Sequence, residues 1–174
     1  MKESEDIIVR QATTADLDAL EELEQKCFAT PWSRQSLEED MTGNSLSTYL
    51  VAEIDGRVIG YIGLWRIVDE GHINNVSVLP EYRRRHAASA LIEYMFDYGT
   101  TIGIKNYTLE VRVSNEAAIR LYAGYGFKPA GIRRGYYTDN GEDAMIMWRI
   151  FDPVNDADSE DIGRAANPDA AQSK

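Results

Sequence analysis

Two kinds of hydrophobic spacing alternate along the chain as far as residue 151. Short runs rich in β-branched and aromatic residues are typical of strands, whereas apolar residues that recur every three or four positions are typical of amphipathic helices. The clearest helical stripe carries Leu17, Leu20 and Leu23. Asp55-Gly56, between two β-rich runs, predicts the tight turn of a hairpin. Strands are expected at 7–10, 48–54, 57–67, 72–79 and 107–113 and as two strands within 130–150, and helices at 13–28, 33–41, 86–103 and 114–127.

This order, β-α-α-β-β-β-α-β-α-β-β, predicts a single α/β (α+β) domain with a mixed central β-sheet flanked by helices. Ser33 is the expected cap of the second helix, and Ser114 or Asn115 that of the last helix. The segment 152–174 has almost no large apolar residues and more acidic than basic ones, so it cannot bury enough surface to offset its ordering entropy. We therefore expect a folded domain at 1–151 and a disordered acidic C-terminal tail at 152–174.

Composition and charge narrow the class of protein. The chain has 174 residues, of which 44% are hydrophobic and 27% charged, as in ordinary globular proteins. Its charged start does not resemble a signal peptide and no apolar run approaches the ~20 residues of a membrane span, so a cytoplasmic location and no membrane partner are expected. A net charge of −11 argues against direct binding of nucleic acid and favours a cationic partner or substrate.

The chain contains one cysteine and two histidines. Cys27 continues the stripe of the first helix, and we expect it to be a small core residue rather than a nucleophile. Cys27, His72 and His86 do not have the spacing of metal ligands, so no metal site is expected.

Three consecutive arginines, Arg83 to Arg85, lie in the stretch PEYRRRHAASALI between a predicted strand and a predicted helix. The first N–H groups of a helix have no intrahelical partner and, with the helix dipole, they favour a bound phosphate. Guanidinium groups would add charge to the same place. An anion-binding site is one interpretation, and a solvated basic turn is the other.

These residues resemble a known family. VSVLPEYRRRHAASALI, at 76–92, resembles the acyl-CoA-binding segment of the GNAT acetyltransferases. LEVRVSNEAAIRLYAGYGFKPAGIRRGYYTDNGEDAMIM, at 109–147, resembles the RimI-type N-terminal acetyltransferases, and CFATPWS, at 27–33, is similar to their Pro-Trp-Ser segment near the amino-acceptor cleft. The resemblance covers roughly 7–151, and the predicted order of elements fits the GNAT fold.

The resemblance implies acetyl-CoA as co-substrate and assigns roles to particular residues. Glu110 matches the family's general base and Tyr122 its general acid. The residues matched to acetyl-CoA binding are Val76, Ser77 and Val78 for the pantetheine arm, Arg84, Arg85, His86, Ala87, Ala88 and Ser89 for the pyrophosphate, and Asn115 as a further contact. The candidates for the acceptor side are Trp32, Tyr136, Tyr137 and Glu142.

His86 departs from the family pattern, which has glycine there. Glycine lets backbone approach a ligand without a Cβ in the way. His86 would therefore either point its ring outward from a normal helical first turn, which we favour, or crowd the pyrophosphate. In a variant of this hypothesis, protonated His86 contacts the phosphates, and affinity rises as the pH falls through ~6.5.

The chemistry of amine acetylation explains why these residue types are needed. The attacking amine must be neutral, and a carboxylate such as Glu110, acting directly or through water, can take its proton. An α-amino group, with a pKa near 7.7–8.0, loses that proton more easily than a lysine. A Tyr122 hydroxyl can protonate the departing thiolate, and a backbone N–H from 76–78 can bind the carbonyl oxygen.

Each candidate also has a purely structural explanation. Glu110 alternates with apolar neighbours and could face solvent, whereas Tyr122 could be a core residue. Asn115 could only cap a helix, and Trp32 could fill the gap between two helices. The joint match of the whole 109–127 pattern in register favours the catalytic interpretation.

For the substrate, the resemblance implies the N-terminal amine of a protein, typically an alanine of a small-subunit ribosomal protein. The acidic surface is compatible with such a basic partner. Two alternatives stay open. One is an acetyltransferase for a small amine or a lysine side chain, and the other is a non-catalytic acyl-CoA-binding module.

Overall fold

The structure, a computed structural model, describes residues 6–151. The predicted tail at 152–174 lies outside these residues. Within residues 6–151, a seven-stranded sheet in the order β1-β2-β3-β4-β5-β7-β6 carries four α-helices, and the predicted order of elements is confirmed. The strands are β1 (Ile8–Gln11), β2 (Ser47–Ile54), β3 (Arg57–Ile67), β4 (Glu70–Val78), β5 (Asn106–Arg112), β6 (Lys128–Tyr137) and β7 (Glu142–Arg149). The helices are α1 (Leu17–Cys27), α2 (Arg34–Gly43), α3 (Ala87–Thr101) and α4 (Glu116–Gly124), with short 3₁₀ turns at Thr14–Asp16 and Pro80–Tyr82.

Local polar chemistry sets the boundaries of these elements. The Ser33 hydroxyl accepts the Ser36 N–H at 3.1 Å and begins α2, as predicted. Of the two candidate caps of α4, Asn115 is the one that accepts a helix N–H. Asp55 and Gly56 have positive φ values of 50° and 78°, which let β2 turn directly into β3.

The sheet is covered on both faces by apolar clusters. On one face, the α1 stripe of Leu17, Leu20 and Leu23 packs on β2 and β3, as its spacing predicted. On the other face lies α3, which buries Ala87, Leu91, Ile92, Met95 and Gly99. Cys27 is half-buried beside the first cluster, so it is less enclosed than the core residue we expected. No helix within residues 6–151 combines the length and apolarity needed to cross a membrane.

The sheet opens between β4 and β5. These two strands run parallel and pair only from Glu70–Asn106 to Ile73–Leu109, whereas the other neighbouring strands are antiparallel. On its other edge, β4 carries an extra residue, Asn74, because Gly63 pairs with Asn75 and Leu64 with Ile73. A bulge of this kind bends the strand, so the remainder of β4 diverges from β5. The resulting gap positions the site.

Candidate active site

A cleft of about 790 Å³ lies at the gap between β4 and β5. It is lined by segments from both faces of the sheet, including the loop after α1, both strands, α4 and the β6–β7 hairpin. The predicted site residues that line it are Trp32, Val76, Glu110, Asn115, Tyr122, Tyr136, Tyr137 and Glu142. Ser77 and Val78 continue β4 just beyond this lining, and Arg84–Ser89 form the turn that follows.

Glu110 lies on β5, and its side chain is only 11% exposed. Its carboxylate is 2.7 Å from His72 Nε2 and 3.3 Å from Arg133 Nε. The hydrogen bond with His72 is the main cause that lowers the pKa of Glu110, and burial opposes it in part. Because the group is paired and largely covered, it is not the solvent-facing strand residue that alternation alone would allow.

His72 is a site residue that the sequence did not reveal. It lies opposite Thr108 across the parallel pair, so its side chain shares a face with Glu110 two residues further along β5. Because an ionised carboxylate can only accept, Nε2 is the donor to Glu110, and in the neutral ring Nδ1 is then an acceptor. Imidazole is the side chain best suited to take a proton near neutral pH, whereas a carboxylate with a lowered pKa is a weaker base. The two groups together can accept a proton in this cleft.

Tyr122, on α4, approaches the cleft from the other face of the sheet. It is 8% exposed and packs edge-on against Phe127, with 5.7 Å between the ring centroids. Burial raises its pKa, so the phenol keeps its proton. Tyr122 shares a core cluster with Leu109 and Val111, whereas Glu110 alternates to the opposite face. The cleft at the strand gap is lined by both side chains.

The backbone of β4 supplies unused donors at this gap. Pairing with β5 ends at Ile73, and successive N–H groups of a strand point to opposite edges. The N–H groups of 74–78 that point towards β5 therefore face the gap rather than a partner strand. An extended acyl-pantetheine chain could pair with them as a strand would, and a carbonyl oxygen could be bound there.

The arginine turn leads into α3 through left-handed backbone. Arg84 and His86 have φ values of 60° and 64°. The expectation of a normal helical conformation at His86 is wrong, because the path of the chain into α3 requires the left-handed conformation that glycine adopts without strain. The expectation for its side chain holds in one respect, because the ring is exposed and makes no capping hydrogen bond.

The same turn presents backbone donors and charge together. The first helical hydrogen bond runs from the Ala90 N–H to the His86 carbonyl at 2.9 Å, so the N–H groups of Ala87, Ala88 and Ser89 precede the helical ladder. Arg85 lies over the Tyr82 ring, 5.2 Å from its centroid. This arrangement can bind a pyrophosphate at the start of α3.

The β6–β7 hairpin forms the opposite wall. Arg112 lies over the Tyr137 ring at 4.0 Å and donates to both carboxylate oxygens of Asp139 at 3.0 Å. Glu142 accepts the Ser114 N–H at 2.9 Å and an Arg112 N–H at 3.3 Å. Hydrogen bonds from Ser114, and then from Arg112, lower the pKa of Glu142 to about 2. Glu142 is therefore engaged in holding the hairpin to the end of β5.

Tyr136 and Tyr137 give this wall an aromatic surface. Their rings pack edge-on with 5.1 Å between centroids, and Tyr136 is 47% exposed. Trp32 lines the facing wall, in the loop that joins α1 to α2. Within residues 6–151, no group of three His, Cys, Asp or Glu side chains could hold a metal ion.

The fold and the cleft define an acetyltransferase of the GNAT class, and comparison with known proteins agrees. The model of the Acetyltransferase (GNAT) family matches residues 17–127, and the chain belongs to this family. The chain is 38% identical over 136 residues to the [ribosomal protein bS18]-alanine N-acetyltransferase of Escherichia coli K12, covering 77% of this chain and 90% of that protein. It is 40% identical over 139 residues to the enzyme of the same name from Salmonella typhimurium LT2, covering 78% and 91%.

A solved structure supports the same relationship. The crystal structure of the ribosomal-protein-S18-alanine N-acetyltransferase from Escherichia coli matches with a TM-score of 0.78 at 33% sequence identity, covering 84% of this chain and 94% of that one. The resemblance to the GNAT and RimI-type proteins that the sequence motifs suggested is thereby confirmed.

Proposed function

We propose that this protein transfers the acetyl group of acetyl-CoA to the N-terminal amine of a ribosomal protein, with alanine as the acceptor residue. The observation that carries the proposal is that the same cleft is lined by Glu110 and His72 from one face of the sheet and by Tyr122 from the other. The named activity of the relatives from Escherichia coli and Salmonella typhimurium supports the choice of acceptor.

Acetyl-CoA supplies the thioester whose carbonyl carbon is attacked. The donors available to hold it are the β4 N–H groups at the strand gap and the N–H groups of Ala87–Ser89 at the start of α3. Arg84 and Arg85 add positive charge beside the latter. The residues present thus fit a long, anionic co-substrate. Asn115 is engaged as the cap of α4, and it also lines the cleft.

Glu110 and His72 act on the acceptor. His72, oriented by Glu110, takes a proton from the ammonium group, directly or through water, so that the amine nitrogen can form its bond to the carbonyl carbon. Tyr122 gives its proton to the sulfur as the carbon–sulfur bond breaks. Because burial raises the pKa of Tyr122, the phenol arrives protonated and has a proton to give.

The acceptor side suits a small, uncharged first side chain followed by a basic chain. Trp32, Tyr136 and Tyr137 line it with aromatic surface, which offers contact area and no counter-charge to an alanine methyl group. The net charge of −11 favours encounter with a basic protein over nucleic acid. A cytoplasmic location, where such a partner is made, stays a prediction.

The test is acetyl transfer to a synthetic peptide with the N-terminal sequence of the bS18 homologue. We expect turnover with the free N-terminus and none when the N-terminus is blocked. Continued acetylation of the blocked peptide would instead identify a lysine or small-amine acetyltransferase. Calorimetric binding of acetyl-CoA with no turnover of any amine would identify a binding module and overturn the proposal.

A further inference from the structure

Glu24 is a buried carboxylate in the cleft that the proposed chemistry does not use. It lies in the last turn of α1, is 1% exposed, and contributes to the lining. One carboxylate oxygen accepts the backbone N–H of Trp32 at 2.9 Å. The other accepts from the Tyr61 hydroxyl and from Asn75 Nδ2, the latter at 3.2 Å. Glu24 thus joins three separate parts of the chain.

A carboxylate at this buried position has a high desolvation free energy. Its partners are neutral, and within residues 6–151 no cationic side chain pairs with it. An unpaired buried carboxylate is unfavourable, and an apolar side chain would pack there at less cost in free energy. The three hydrogen bonds therefore explain why a carboxylate is present here. Only an acceptor with two oxygens can make all three together.

Two of the partners of Glu24, Trp32 and Asn75, belong to different segments that both line the cleft. The Trp32 N–H belongs to the loop whose Phe28, Ala29, Thr30 and Trp32 line the acceptor wall. Asn75 follows the bulge residue Asn74 on β4, where the strand leaves β5. Asn75 also donates to the Tyr61 hydroxyl at 3.0 Å, which closes a small network. Movement of Glu24 would free the wall from the strand at the point where the amine enters.

We propose that Glu24 is a positioning residue for the acceptor, because it fixes the Phe28–Trp32 wall to Asn75 and Tyr61 beside the strand gap. It does not touch the reacting atoms. The inference rests on the proposed function for the identity of the acceptor, but the tie between wall and strand can be measured without it. Small displacements of a binding wall change how often the amine sits in line with the carbonyl carbon.

The kinetic test compares Glu24→Ala, Glu24→Gln and Glu22→Ala. Glu22 is the matched control, since it lies on the same helix with an exposed ion pair to Lys26. We expect Glu24→Ala to raise KM for the peptide about tenfold and to leave KM for acetyl-CoA within about twofold. Glu24→Gln should recover part of the loss, because its carbonyl can still accept the Trp32 N–H. Equal changes in both KM values, or no change, would overturn the proposal.

Hydrogen exchange gives a second readout that needs no turnover. The amides of Phe28, Ala29, Thr30, Trp32 and Ser33 should exchange about tenfold faster in Glu24→Ala than in the wild type, and their exchange should be unchanged in Glu22→Ala. Tyr61→Phe keeps the ring and removes two hydrogen bonds of the hydroxyl, one to Glu24 and one from Asn75, so it tests the tie if Glu24→Ala does not fold. Unchanged exchange in Glu24→Ala and in Tyr61→Phe would refute the tie. A wild type inactive on every N-terminus would refute only the proposed function.

Discussion

The half of the cleft assigned to acetyl-CoA and the half assigned to the acceptor are built differently. On the acetyl-CoA side the polar groups are mainly backbone N–H groups, offered by a strand that has lost its neighbour and by the first turn of α3. On the acceptor side, side-chain networks around Glu110, Arg112 and Glu24 hold the walls. Most substitutions leave backbone donors in place, whereas a single substitution can remove several hydrogen bonds from a side-chain network. Single mutations should therefore damage the acceptor side more.

The strongest test of this difference is Glu110→Gln. The amide keeps the size of the side chain but cannot hold His72 as a charged acceptor, so proton removal from the amine should suffer. We expect kcat for the peptide to fall by about 100-fold or more, with calorimetric affinity for acetyl-CoA unchanged. An unchanged kcat would show that Glu110 is outside the proton path. A parallel loss of acetyl-CoA binding would show that the two halves are not independent.

Arg112→Gln should have the next largest effect. It removes the paired hydrogen bonds to Asp139 and the contact with the Tyr137 ring, so the hairpin wall loses its tether to β5. The expected result is a rise of about tenfold in peptide KM and a loss of about 1–2 kcal/mol in unfolding free energy. Steady-state kinetics and urea unfolding measure the two quantities.

Arg120→Gln is the control for Arg112. Its ion pair with Glu116 on α4 is long, at 3.7 Å, and both side chains are highly exposed. Such pairs contribute little, so neither quantity should change measurably. If Arg120→Gln matched the effect of Arg112→Gln, general loss of charge, and not loss of the hairpin tether, would be responsible.

On the acetyl-CoA side, the informative pair is His86→Gly and His86→Ala. Glycine removes both the ring and the strain of φ 64°, whereas alanine removes the ring alone. We expect His86→Gly to raise unfolding free energy by about 1 kcal/mol and to tighten acetyl-CoA binding a few-fold, with His86→Ala close to the wild type. Calorimetric titration measures the affinity. Equal tightening in both variants would mean that the ring crowds the ligand.

The smallest expected effect concerns pH and Glu142. Its pKa is lowered from 4.5 to about 2 in the folded protein, so the folded state binds this proton less readily than the unfolded chain. The resulting stabilisation is fully present above about pH 4.5 and is lost as the pH falls towards 2. The difference in urea midpoint between wild type and Glu142→Gln should shrink from pH 6 to pH 3. A constant difference would contradict the assignment.

The sequence predicted what depends on neighbours along the chain. The order of elements, the Ser33 cap and the α1 stripe all follow from local spacing and side-chain type. Alternation also assigned Glu110 to the face opposite Leu109, but it could not show that His72 and Arg133 cover that face. Those contacts require the strand register, which brings residues 38 positions apart within hydrogen-bond distance.

Two other features could not be predicted from the sequence, for related reasons. In its network, Glu24 bonds to residues that lie 37 and 51 positions further along the chain. The residues next to a glutamate on an amphipathic helix do not indicate whether its side chain is buried. The left-handed conformation of His86 is imposed by the direction in which the chain enters α3, and a histidine in the sequence does not disclose it. Local chemistry predicts elements, whereas the site depends on what the fold brings together.

The short pairing between β4 and β5 has a mechanical consequence. Four register pairs and the hydrogen bond between His72 and Glu110 join β4 to β5 at this seam, and β4 diverges from β5 beyond them. A ligand lying in the gap would contact both sides of it. Because such a ligand binds the native state, it shifts the unfolding equilibrium towards the folded protein by mass action. The melting temperature of the protein would then rise with the concentration of its own co-substrate, so that the two parts of the sheet would be held together most firmly in a cell rich in acetyl-CoA.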